Sequence, residues 1–237
     1  MADEPIVHKE FSLTRRALLT AGAVGGVGLF FGRQLQSAVG AALSSTGSSL
    51  ANFLPGGDQF RIYTVTNGYP SVSTGGYQLA LSGLFTKPVS LDFAHLEALG
   101  VTKLTADFQC VTGWRVPKVP WAGVRLSTLV ELGAPDRSVK AFEFYSYDGV
   151  YTESLTYDQA MRRDVLVATR MFDQPISREH GGPVRLYVAP MYGYKSIKWL
   201  SQIRAVDQAT PGYWEQQGYA VNAWIGRSNG RTDPPVI

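Results

Sequence analysis

The chain has 237 residues, 45% hydrophobic and 17% charged, with one cysteine and a formal net charge of +3. That is enough apolar chain to bury a core without disulfides, and a lone thiol forms no internal disulfide in any case. The charge is mild and its basic residues are scattered, which argues against a dedicated nucleic-acid binder; the 25 glycines, 13 prolines and 12% aromatic residues favour short strands and turns over a helical bundle.

Thr14-Arg15-Arg16 precedes an apolar, glycine-rich stretch at residues 17–31, the pattern of a twin-arginine export signal. The stretch is short and glycine-diluted for a stable span, which takes about 20 apolar residues. Export through the twin-arginine machinery, to an extracytoplasmic location, is therefore preferred to permanent anchoring. The expected organisation is a signal or N-terminal anchor at 1–43, a Ser/Gly/Ala-rich linker at 44–57, a folded domain at 58–228 and a loose tail at 229–237.

Within the domain, residues 60–65 alternate as a strand does, and so do residues 77–84 after Gly75-Gly76. A short helix is predicted over 90–99, with Ser90 or Asp92 as N-cap and Gly100 as its stop. Residues 103–109 read as a strand that delivers Cys110 at its end. Trp121-Ala122-Gly123-Val124 reads as a turn before a helix at 126–132. A β-branched and aromatic run at 139–145 leads to a loop at Tyr147-Asp148-Gly149. A helix over 156–163 capped by Thr156 follows, then strands at 165–171, 184–188 and 197–206. The fold class is α+β, a strand-rich mixed domain with short connecting helices.

Cys110 sits in Asp107-Phe108-Gln109-Cys110-Val111-Thr112-Gly113-Trp114-Arg115. It is inert packing, a nucleophile or a metal ligand. Arg115 and Lys118 place positive charge nearby, which favours a thiolate, a soft ligand. One thiol is too few for a multi-cysteine zinc site, and no Cys-x-x-Cys-His haem motif occurs. His8, His95 and His180 make a poor cage, because His8 lies in the export segment. A metal held by this single thiolate needs an organic cofactor for its other ligands. Residue chemistry alone favours the inert buried cysteine.

Further along stand His180-Gly181-Gly182-Pro183-Val184-Arg185 and Met191-Tyr192-Gly193-Tyr194-Lys195-Ser196-Ile197-Lys198-Trp199-Leu200. With the Cys110 segment and Phe142-Glu143-Phe144-Tyr145-Ser146-Tyr147-Asp148, this order resembles the molybdopterin-binding domain of the sulfite oxidase family. It is most similar to the bacterial, twin-arginine-exported branch that includes periplasmic methionine sulfoxide reductase. The resemblance implies a molybdenum–molybdopterin cofactor with the Cys110 thiolate as metal ligand. It implies that His180 and Arg185 hold the pterin and its phosphate, that Ser196, Ile197 and Lys198 close around the phosphate end, and that Ser146 contributes a small polar contact. Another cofactor contact is expected near Arg61, Tyr63 and Thr64. The branch places an asparagine there, and Asn67 is the nearest one, offset. Arg185, Lys195 and Lys198 supply the cations a phosphate needs. Trp114 and Arg115 border the substrate side.

The implied activity is two-electron oxygen-atom transfer on a small S-oxide, N-oxide or sulfite-like substrate. Without haem or iron–sulfur motifs, electrons would pass through a separate partner, a membrane cytochrome b or a soluble redox protein, with direct substrate-to-substrate cycling as the alternative. The rival readings are a cofactor-free, catalytically silent exported domain and a structural subunit of a membrane redox complex.

Overall fold

The computed structural model describes residues 60–66 and 68–234. The expected export segment, the linker and Asn67 lie outside the described residues. Two five-stranded sheets carry the domain. The first runs β2 (Val89–Asp92), β1 (Gln78–Gly83), β10 (Leu200–Val206), β5 (Ala141–Ser146), β6 (Thr152–Thr156). Its β1–β10 pair is parallel and its other pairs are antiparallel. The second runs β3 (Thr102–Gln109), β4 (Arg115–Arg125), β7 (Val165–Met171), β8 (Gln174–Pro175), with β9 (Arg185–Val188) also paired to β7.

The helices are short: α1 (Phe93–Ala98), α2 (Leu126–Gly133) and α3 (Tyr157–Ala160), with 3-10 turns at Gly193–Lys195 and Glu215–Gln217. α1 is shorter than expected, because Ser90 and Leu91 belong to β2. Asp92 is the cap, its carboxylate accepting from His95 N at 2.7 Å. α3 ends at Ala160 rather than reaching 163, though Thr156 does close a capping box with Gln159.

Three expectations fail outright. Residues 60–65 form no strand and pair with no neighbouring backbone ladder. Residues 121–124 are strand rather than turn. Gly123 is there because β7 comes so close that a Cβ would stand 2.2 Å from Val167 O. Finally, β10 begins at Leu200, and the residues before it form a loop. The segment expected as a loose tail carries Asn229, whose amide donates to Tyr194 Oη at 3.1 Å, and Asp233, which accepts from Tyr192 Oη at 2.6 Å.

The larger apolar core packs the first sheet and α2 around Phe142, Phe144, Leu126 and Leu129, all with no exposed surface. A second cluster forms around Trp121, Tyr187, Phe108 and Trp114. In it the Trp121 and Tyr187 rings stack at 4.2 Å and Phe108 stacks on Trp114 at 5.6 Å. This aromatic block fixes the end of β3, and Cys110 follows directly.

Candidate cofactor pocket and active site

A cavity of about 360 Å³ opens at the end of β3, a size typical of small-molecule sites. It collects residues remote in sequence: Cys110 and Trp114, His180 and Arg185, Ile197 and Lys198, and the irregular stretch 60–65. The half-buried Cys110 thiol accepts from Thr112 Oγ1 at 3.2 Å. Its backbone is held by Cys110 N to Trp114 O at 2.9 Å and Gly113 N to Cys110 O at 3.0 Å. This tight turn places Cys110 on the cavity wall.

Arg185 reaches the site from β9 and is only 3% exposed. Its guanidinium donates to His180 O at 2.6 Å and Ser196 O at 2.7 Å, and lies 5.4 Å over the Phe108 ring. Burial lowers its pKa to about 10. Lys198 donates to Tyr63 O at 2.5 Å and sits 4.2 Å over the Trp199 ring. Burial, then repulsion from Arg185, lowers it to about 7. The same two causes lower His180, whose Nδ1 lies 2.9 Å from Ser177 Oγ. Gly181, at φ 98°, allows the approach of this loop, since a Cβ there would stand 2.6 Å from Lys198 Cβ.

Among the described residues neither Arg185 nor Lys198 forms a salt bridge with a carboxylate. Asp148 lines the same cavity, but its Oδ1 caps the amides of Val150 and Tyr151 at 2.9 and 2.8 Å. The backbone N–H groups of Ile197 and Lys198 donate to no acceptor among the described residues. Two desolvated cations and two unused amides are the donor set for an anion such as a phosphate. Among the described residues no group of three or more His, Cys, Asp or Glu is arranged to hold a metal. Cys110 is then a single donor that fits a metal ligated mainly by an organic group. These features fit a phosphorylated, metal-bearing cofactor.

The predicted residues do not all converge. Arg61, Tyr63 and Thr64 line the cavity, although the Thr64 hydroxyl is engaged locally with Thr66 O at 3.0 Å. Ser196 lines it with its hydroxyl accepting from Val188 N at 3.0 Å. Arg115 does not line it: its guanidinium lies on the buried Asp107 carboxylate, which also accepts from Lys118 N at 2.8 Å. Ser146 does not line it either. Its hydroxyl accepts from Asp148 N at 3.1 Å and caps the turn. Lys195, expected among the phosphate cations, is instead buried between Glu153 and Glu215.

Sequence reasoning missed Tyr194, Trp214 and Tyr219, which line the cavity as a wall of rings. Tyr194 lies inside the Met191–Leu200 segment, next to the residues expected to close around the phosphate. The aromatic density of residues 213–219 was the available signal for the other two.

Residues 66–214 match the family described as the oxidoreductase molybdopterin binding domain. The chain is 29% identical over 164 residues to the uncharacterized oxidoreductase YuiH of Bacillus subtilis, covering 65% of this chain and 82% of the relative. It is 28% identical over 159 residues to the protein-methionine-sulfoxide reductase catalytic subunit MsrP of Campylobacter jejuni, covering 60% of this chain and 53% of that subunit. Sulfite oxidase of Arabidopsis thaliana is 29% identical over 177 residues, which is 60% of this chain and 45% of that enzyme. The chain thus spans about half the length of the last two. The crystal structure of the sulfane dehydrogenase SoxCD from Paracoccus pantotrophus superimposes with a TM-score of 0.56 at 23% identity, over 60% of this chain and 41% of that one, a likeness of fold.

Proposed function

This chain belongs to the oxidoreductase molybdopterin-binding domain family, and on that premise we propose that it is an exported reductase of a small S-oxide, with Cys110 as the protein's ligand to molybdenum. Membership makes it an oxidoreductase that uses molybdopterin. The substrate, the metal ligand, the location and the redox partner are our reading. The observation that carries it is a pair of cations, buried Arg185 and half-buried Lys198, that form no salt bridge to a carboxylate among the described residues and share a cavity with the lone thiol. The bound cofactor would supply the two-electron redox chemistry and the oxygen-atom exchange.

The chain's own residues bind and shield. Arg185, Lys198 and the amides of Ile197 and Lys198 would take the phosphate end. His180, whose Nδ1 lies 2.9 Å from Ser177 Oγ, would present its imidazole to the pterin side. Phe108 and Trp114 limit water beside Cys110. Reduction of an S-oxide consumes two electrons and two protons and releases the sulfide and water. The electrons would come from a separate redox partner, a membrane cytochrome b or a soluble protein. The methionine-sulfoxide reductase subunits support the S-oxide. Sulfite is disfavoured, because Arg115, the cation expected to face a dianion, lies on Asp107.

The test is turnover of dimethyl sulfoxide, trimethylamine N-oxide and sulfite with a viologen dye as the electron carrier. Wild type is expected to reduce the sulfoxide. Cys110→Ala is expected to lose activity by about a thousandfold or more while keeping its circular dichroism, since among the described residues the thiol accepts a single hydrogen bond, from Thr112. Full activity in that variant contradicts the reading.

A further inference from the structure

Lys195 has no exposed surface. Its ammonium lies 2.8 Å from Glu153 Oε2 and against Glu215 Oε1, both carboxylates equally buried. Each member of this triad stands beside a residue of the cavity wall: Lys195 follows Tyr194, Glu215 follows Trp214, and Glu153 lies two residues past Tyr151. The triad therefore ties together strand β6, the 193–195 turn and the 215–217 turn, three segments far apart in sequence.

Glu215 Oε2 also accepts from Gly212 N at 2.6 Å. A Cβ on Gly212 would stand 2.9 Å from Glu153 Cδ, so this segment runs directly against the Glu153 carboxyl. Burial pushes Glu153 up to about 8, and its Oε1 has no partner among the described residues. On the cavity side the Tyr194 and Trp214 rings each meet Tyr219 edge-on, with centroids 5.5 Å apart in both pairs. Tyr151 Oη donates to Tyr194 O at 2.7 Å, and Tyr194 Oη donates to Ala220 O at 2.6 Å, fixing the first ring. A buried ion triad is weak support for stability when compared with apolar packing; fixing geometry is its better-supported use.

The geometry points to Tyr194, Trp214 and Tyr219 as a substrate-selecting wall held in place by the Glu153–Lys195–Glu215 triad, and to an S-oxide bearing an apolar, preferably aromatic, substituent as the ligand. The reacting group rests on the reading given above; the wall does not. Trp214 and Tyr219 are the specificity determinants, and Lys195 and Glu215 are positioning residues.

The experiment is calorimetric binding of methyl phenyl sulfone and dimethyl sulfone to the molybdenum-loaded protein, alongside turnover of the two corresponding sulfoxides. Wild type is expected to bind the phenyl compound about tenfold more tightly, the scale of one ring's burial. Tyr219→Leu and Trp214→Leu should each cut that preference about threefold or more, with dimethyl sulfone affinity within about twofold of wild type. Glu215→Gln should cut the preference although it alters no ring, with Glu215→Asp as the second variant should the first not fold. No phenyl preference in wild type, or a preference untouched by the ring variants, overturns the wall. An unchanged preference in a folded Glu215 variant overturns the positioning role. If the phenyl preference is present but neither sulfoxide is reduced, the S-oxide reading fails and the wall stands.

Discussion

Burial and the neighbouring Arg185 guanidinium lower Lys198 to about 7, which makes the proposed anion site sensitive to pH near neutrality. Below that value the side chain is an ammonium facing Tyr63 O and the cavity; above it the charge is gone. Anion binding by the cofactor-free protein should therefore weaken as pH rises through 7. Sulfate is a suitable probe, because its own charge is fixed in this range. Calorimetry is expected to show about tenfold tighter sulfate binding at pH 6 than at pH 8, and Lys198→Met should abolish the difference. A pH-independent affinity in wild type would remove Lys198 from the anion site. Arg185 cannot play this part, because even at about 10 its pKa keeps it charged across the window.

The 193–195 turn lies between Phe108, at the end of β3, and the 196–198 stretch of the cavity wall. Gly193 packs so closely on β3 that a Cβ would stand 2.4 Å from Phe108 Cζ and 2.6 Å from Phe108 Cε1. Gly193→Ala should push that ring toward Trp114 and Cys110, lowering stability by about 1–3 kcal/mol and reducing molybdenum retention. Thermal unfolding and metal analysis check both. Unchanged stability would show that the ring yields freely.

This turn also shows what the sequence discloses and what it hides. Cys110, His180, Arg185 and Lys198 were legible because local motifs of fixed spacing carry them, and all four line one cavity. Arg115 and Lys195 look like ligand cations in the same motifs, yet each is neutralised by acids that only the fold brings against it. Asp107 lies across the β3–β4 pair, and Glu153 and Glu215 come from distant segments. β4 was misread because Gly123 signals a turn, whereas the cause is the close passage of β7. Residues 60–65 alternate like a strand but are held by side chains. Phe60 sits edge-on to His180 at 5.2 Å, and Lys198 bonds the Tyr63 carbonyl.

At the scale of the whole molecule, the cavity draws its wall from residues as far apart as Phe60 and Tyr219. No fragment of the domain contains it, so the site forms only when both sheets and their loops are folded. Among the described residues no helix is long and apolar enough to cross a membrane.

The proposed arrangement turns on one protein sulfur reaching the metal at one end of the cavity while cations hold the other. Molybdenum K-edge X-ray absorption of wild type and Cys110→Ser, each purified from a molybdenum-replete host, tests it most directly. The account predicts equal metal loading in the two proteins, because Arg185 and Lys198 still hold the cofactor, with one fewer sulfur neighbour in the variant. An identical sulfur shell in both would contradict it.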